Sequence, residues 1–179
     1  MPAKPIQPTQ PAQAAQSTQV IESRVTDAHD GGVVVFLIGM RINRLRAVRR
    51  WWPVAQAMPA MLRELFADPD AGLLGARTMV GGGLREITVV QYWKDADHLL
   101  AYATAADRKH RPAWQAFNRQ ARSSAGAVGI WHETYVVPAG GHESVYVAMP
   151  PFGLGKAAGI QPVASRGEAA AQRLDRPAQ

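Results

Sequence analysis

Val33–Ile42, VVVFLIGMRI, is an unbroken run of apolar and β-branched residues after Asp-Gly-Gly, and it reads as a strand covered on both faces. Asn43 is a good N-cap for a helix starting just beyond it. From Leu45 the apolar positions fall at 45, 48, 52, 55, 58, 62, 65 and 66, with Arg46, Arg49, Arg50, Arg63 and Glu64 off that stripe, which predicts a helix. Pro53 and Pro59 interrupt it. An interior proline costs about 3 kcal/mol, so a break near Trp52 is expected, with Pro53 opening a new helical segment. Asp68-Pro69-Asp70 ends the helix. Leu73–Val80 reads as a strand, Gly81-Gly82-Gly83 as a tight turn, and the alternating run Arg85–Trp93 as the partner strand of a hairpin. Asp95 caps a short helix, ADHLLAYA, and a second helix is expected over Ala106–Arg122. Ala127–Val137 is the next strand, and His142–Met149 is expected to pair with it through a Pro-Ala-Gly-Gly turn.

The order β-α-β-β-α-β, plus an extra C-terminal strand, is the split βαβ pattern of a ferredoxin-like α+β fold. Helices cover one face of such a sheet. The strands here are apolar on both sides, so a homodimer packed sheet on sheet is the economical way to bury the other face. The Pro/Ala/Gln-rich residues 1–20 lack the apolar content to order themselves and are expected to be a disordered tail. Residues 21–160 form the expected domain, and the polar, Ala-rich residues 161–179 a flexible C-terminal tail with one helical turn around Glu168–Leu174.

The 179-residue chain has no cysteine, which removes disulfides, zinc–thiolate sites, Fe–S clusters and thiol nucleophiles. That fits a cytoplasmic protein. No apolar stretch reaches the ~18 residues of a membrane span. The formal net charge is +6, with the densest basic run at Arg41, Arg44, Arg46, Arg49 and Arg50. This run reads as a solvated helix face, with an anion-binding or substrate-entry role as the alternative; no helix-turn-helix, finger or RNP-like pattern supports a nucleic-acid interface. No ligand spacing such as His-x-x-x-His supports a metal site.

Three stretches carry a resemblance. They are MRINRLRAVRRWWPVAQAMPAMLRELFADPDAGLLG, QYWKDADHLLAYATAADRKHRPAWQAFNR and GIWHETYVVPAGGHESVYVAMPPFGLG. Together they resemble the antibiotic-biosynthesis-monooxygenase superfamily of dimeric α+β barrels. The His-Glu-x-Tyr strand and the Tyr-Val-x-Met-Pro-Pro ending are similar to one member group, the domain of unknown function grouped with the fumagillin-pathway monooxygenase. The resemblance implies the fold and a monooxygenase-like oxidoreductase activity. Superfamily members include cofactor-independent oxygenases, haem-degrading enzymes and proteins of no known activity. In the haem degraders a helix histidine holds the iron, which would make His110 the proximal ligand if haem were bound.

The last of those stretches concentrates titratable and aromatic side chains on one strand. Alternation places Trp131, Glu133 and Tyr135 on one face and His132 on the other, with Ile130 and Thr134. The Trp131 face has the character of a ligand cavity, and the His132 face that of a helix-covered core. Glu133 is therefore the first choice as general base, its pKa raised by burial. His132 is the second, and replaces Glu133 if the faces are reversed. The plainer alternatives are a hydrogen-bonded structural carboxylate and a satisfied core histidine. Tyr135 and Tyr146 would hydrogen-bond a developing enolate or phenolate, Trp93 and Trp131 would wall the pocket, and Arg41 would hold an anionic group. The expected function is oxidation of a small, largely apolar substrate without a cofactor. The alternatives are a haem enzyme using His110 or His132, and a non-enzymatic binder of small molecules.

Overall fold

The computed structural model describes residues 18–104, 119 and 122–174. The chain divides into two compact units: residues 34–135, and the segments before and after them. The central unit holds a four-stranded sheet in the order β3-β4-β2-β5, built from β2 (Val33–Ile42), β3 (Leu73–Gly81), β4 (Glu86–Trp93) and β5 (Val128–Val137). Helix α1 (Val48–Ala67) connects β2 to β3, and α2 (Ala96–Thr104) comes after β4. β4 lies antiparallel between β2 and β3, with Val34 opposite Trp93 and Arg41 opposite Glu86 on one side, and Val80 opposite Ile87 on the other. Two strands joined by a helix, with a third inserted between them, make the split βαβ unit, and the fold is ferredoxin-like α+β.

The pleat sorts the side chains of this sheet cleanly. Ile38, Met40 and Ile42 of β2, Val89 of β4 and Val128 of β5 pack on Val54, Met58 and Met61 of α1. Val34 and Trp93 continue that layer with Leu65, Ala71 and Leu99. The even-numbered row of β2 thus faces the helices, and the odd-numbered row, which ends in exposed Arg41, faces away.

Helix α1 departs from expectation in two ways. It runs unbroken through Pro53 and Pro59, and its buried stripe is Val54, Met58, Met61 and Leu65. Of the expected stripe, Val48, Trp52 and Phe66 are exposed. Much of the helix circumference is apolar, so two neighbouring phases satisfy the 3.6-residue spacing, and contact with the sheet selects one. That contact also supports a helix through two prolines that local propensity alone would not sustain. Asn43 does not cap α1. The N-cap is Ala47, and the Asn43 amide instead donates to the Gly126 carbonyl at 3.1 Å. Asp95 does cap α2, accepting from the His98 backbone N–H at 2.8 Å.

In the other unit, β1 (Val25–Asp27) pairs antiparallel with β6 (Ile160–Pro162). An extra C-terminal strand exists, then, but it is not the expected one. His142–Met149 joins no sheet: Tyr146 and Met149 make single bridges to Val25 and Ile21. The short helices α3 (Gly153–Ala158) and α4 (Ala170–Arg173) lie in the same C-terminal stretch. Residues 161–174 are therefore folded, a correction to the flexible tail expected there. Val163 is buried, and the Arg173 guanidinium is anchored by Glu143 at 3.0 Å and by the Gly167 and Glu168 carbonyls.

The polar centre of this unit is Asp27, whose carboxylate is fully buried. Its Oδ2 accepts from the Ser144 hydroxyl at 2.8 Å, and its Oδ1 meets the His29 N–H at 3.0 Å, His142 Nε2 at 3.2 Å and Arg166 Nη1 at 3.4 Å. Burial is the largest single influence and pushes the carboxyl upward, but the hydrogen bonds from His142 and Ser144 and the His142 charge outweigh it, so the group lies below the ordinary carboxylate value. The hydrogen bond to Asp27 in turn raises the His142 imidazole, against the opposing effect of burial.

Candidate functional site

On the helix-covered side of the central sheet, a hollow of about 160 Å³ opens between β2, β5 and α2. Phe36 of β2, His132 and Thr134 of β5, and Leu99, Leu100, Tyr102 and Ala103 of α2 line it. The local sequence accounts for each wall. Phe36 lies on the helix-facing row of β2, His132 and Thr134 lie two apart on β5, and Leu99 and Tyr102 lie three apart on one face of α2. Among the described residues the wall is apolar except for an imidazole, a threonine hydroxyl and a phenol. The His132 and Phe36 rings lie 5.8 Å apart, centroid to centroid. Burial, reinforced by the charge of Glu64, pushes the Tyr102 phenol up to about 12, so it stays protonated and able to donate near neutrality. Its ring rests 5.6 Å from that of Trp93.

The expected site residues distribute differently. Alternation along β5 holds, but the hollow lies on the His132 face. Trp131 packs on the far side of the sheet over Gly39, where an added Cβ would come within 2.6 Å of the indole nitrogen. Glu133 and Tyr135 share that side, both exposed, and the Tyr135 hydroxyl donates to Glu133 Oε2 at 2.8 Å. That hydrogen bond, helped by the Glu133 charge, raises the Tyr135 phenol. Glu133 is thus exposed and does not line this hollow, which removes the reason for making it the base. Trp93 does not wall a pocket with Trp131. It is fully buried in the core on the opposite face of the sheet, with its indole N–H bonded to Gln91 at 2.9 Å. Arg41 points away from the helices and pairs with Glu86 at 3.2 Å, so it does not reach the hollow. Tyr146 belongs to the core of the other unit, where its hydroxyl accepts from the Gly155 N–H at 3.0 Å. His110 lies outside the described residues, as does most of the helix expected over Ala106–Arg122.

Tyr102 is the residue that sequence reasoning missed. Its signal was present: a tyrosine three residues from Leu99, on the apolar face of a short helix. Among the described residues no cluster of three His, Asp or Glu could hold a metal ion, and no helix is long and apolar enough to cross a membrane. The hollow that these residues bound is close in size to a ~150 Å³ cavity that accepts benzene and well below the ~300–1,000 Å³ of ordinary cofactor pockets.

A sheet of this order with helices on one face, and an apolar hollow between the two, defines a ferredoxin-like protein with a small-molecule-sized site. Residues 33–154 match the family described as Monooxygenase af470-like, and the chain belongs to that family. It is 30% identical over 132 residues to Monooxygenase af470 of Aspergillus fumigatus, a match that covers 70% of this chain and 46% of that protein. The chain thus spans about half the length of that curated relative. Among solved structures it is similar to an aldoxime dehydratase crystallised with butyraldoxime, with a TM-score of 0.59 and 16% identity over 79% of this chain and 45% of that one, a likeness of fold alone. A fainter likeness, with a TM-score of 0.41 and 11% identity, links 58% of this chain to 91% of SnoaB, a cofactor-independent oxygenase of Streptomyces nogalater.

Proposed function

We propose that the chain is a monooxygenase that oxidises a small, electron-rich phenol in the hollow between β2, β5 and α2, without a cofactor. The observation that carries this reading is an imidazole, His132, that lines the same largely apolar hollow as the Thr134 hydroxyl and a protonated phenol, Tyr102. Membership of a family described as monooxygenase-like supports it. His132 would take the phenolic proton of the substrate, and the apolar wall would hold the ring in place beside it. The phenolate gives one electron to O₂, and the superoxide so formed joins the ring carbon para to the oxygen. The proton held on His132 completes a hydroperoxide, and loss of water leaves a quinone. One oxygen atom ends in the product and the other in water, and the substrate supplies all the electrons. Tyr102 would donate a hydrogen bond to the developing phenolate.

The size of the hollow favours a single-ring substrate, and orcinol is a suitable probe. Oxygen uptake of one O₂ per hydroxyquinone formed, without added metal or haem, is the expected result. A rate no higher than the protein-free blank, with orcinol shown to bind, overturns the reading. Tyr102→Phe keeps the shape of the wall and removes the donor, so kcat/KM for orcinol should fall about 10- to 100-fold. An unchanged value would remove Tyr102 from the mechanism.

The far face of the sheet supports a homodimer. Trp131 and Tyr135 on β5 and Met79 on β3 stand exposed there, one pair and one single at the two edges of the sheet. Sedimentation equilibrium should give the mass of two chains, and a single-chain mass would exclude this assembly.

A further inference from the structure

The end of the central sheet where β2 stops is a separate feature of the molecule. Three segments meet there. The Ile42 N–H donates to the Arg85 carbonyl at 2.7 Å, and the Asn43 and Arg44 N–H groups reach the Ala127 carbonyl at 2.9 and 3.3 Å. Arg50 Nη1 reaches the Ser124 carbonyl at 3.5 Å, and the Trp51 indole donates to the Leu45 carbonyl at 3.0 Å. Residues 41–52, 82–86 and 122–128 therefore form one surface. They carry seven arginines (41, 44, 46, 49, 50, 85 and 122) and a single carboxylate, Glu86, which Arg41 already holds. Arg44, Arg46 and Arg49 have no ion-pair partner among the described residues.

Between the arginines stand large apolar side chains in the open. Leu45, Val48 and Trp52 are about half exposed and Leu84 is 77% exposed. Two local costs accompany this surface. Leu84 holds a left-handed backbone (φ 67°) at the hairpin tip, a place where glycine or asparagine would be less strained. The first turn of α1 carries Arg49 and Arg50 and no acid, against the helix dipole, and its N-cap, Ala47, makes no side-chain bond. Strain and charge placed against local stability, together with solvent-exposed leucines, are features that a merely solvated surface has no reason to keep.

We infer that this end of the sheet docks on an anionic phospholipid bilayer, with Leu45, Val48, Leu84 and Trp52 entering the headgroup–acyl boundary and the arginines meeting lipid phosphates. Arginine interspersed with tryptophan and leucine is the chemistry of peripheral membrane contact. Nucleic acid would satisfy the charge, but Leu45, Val48 and Leu84 offer no flat face for a base to stack on. The inference does not depend on the chemistry assigned to the hollow.

Sedimentation of the full chain with two kinds of vesicle tests it, one of phosphatidylcholine alone and one with about a quarter phosphatidylserine. The chain should pellet with the anionic vesicles and stay in solution with the neutral ones. Each of Arg44→Gln, Arg46→Gln and Arg49→Gln should lower the partition coefficient roughly fivefold. The pair Leu45→Ser and Leu84→Ser should also lower it at unchanged charge. Failure to pellet with anionic vesicles overturns the inference. So does indifference to the leucine substitutions, or tighter retention on single-stranded polyuridylate than on the vesicles.

Discussion

His132→Ala is expected to reduce kcat/KM for orcinol about 10²- to 10⁴-fold, the range over which a positioned general base accelerates proton removal. Substrate affinity should change far less, because most of the wall is formed by Phe36, Leu99, Leu100 and Ala103. His132→Gln preserves much of the side-chain volume but cannot take the proton, so it should be as slow as the alanine variant. Glu133→Gln should leave the rate within about twofold of wild type, since an exposed carboxylate on the opposite face of the sheet has no path to the proton. Oxygen-electrode rates on the three variants check these outcomes together. A large loss in Glu133→Gln with His132→Ala unaffected would return the chemistry to the far face.

Asp27→Ala should destabilise the unit that contains it by about 3–5 kcal/mol, because it removes at once the carboxylate that the Arg166 guanidinium, the His142 imidazole and the Ser144 hydroxyl share. His142, Arg166 and Ser144 all direct polar hydrogens at that one carboxylate. The midpoint of thermal unfolding should fall by about 10 °C. Adding Arg166→Met should restore part of the loss, since it removes a charge left without that carboxylate. The two shifts also set the pH dependence. The Asp27 carboxyl lies below its ordinary 3.8, so its contribution is full above that value and is lost as pH falls through the folded-state value. The His142 imidazole lies above its ordinary 6.5, so its contribution is full below 6.5 and is lost as pH rises through the folded-state value. Calorimetry across pH should therefore find this network strongest between those limits, and a midpoint flat on both sides would show that the pair contributes nothing.

The central sheet was legible because its strands carry unambiguous period-two or fully apolar runs, and the triple glycine before Leu84 marks the hairpin turn. The phase of α1 was not, because a helix apolar over much of its girth fits the spacing in two registers and contact with the sheet decides between them. The same limit governed the site. Alternation correctly separated Trp131, Glu133 and Tyr135 from His132, but it fixes relative faces and not which one looks toward the helices. Gly39 held the missing information, since a glycine in the outward row of β2 leaves space for the Trp131 indole. The unbroken apolar row Val34, Phe36, Ile38, Met40 and Ile42 was the other clue to the helix side. In residues 161–174 the helical turn near Glu168–Leu174 was legible, but the order of the rest was not, because the composition is polar and Ala-rich. Their order comes from long-range polar contacts, Arg173 to Glu143 and Arg166 to Asp27, that composition does not reveal.

Nitrogen-labelled protein titrated with orcinol and monitored by NMR through its histidine and tryptophan side chains separates the two faces of the sheet in one measurement. The imidazole signals of His132 should move in proportion to occupancy while the indole signal of Trp131 stays fixed. Movement of Trp131 with a silent His132 would mean that the ligand sits on the opposite side and that the hollow under α2 is not the working site.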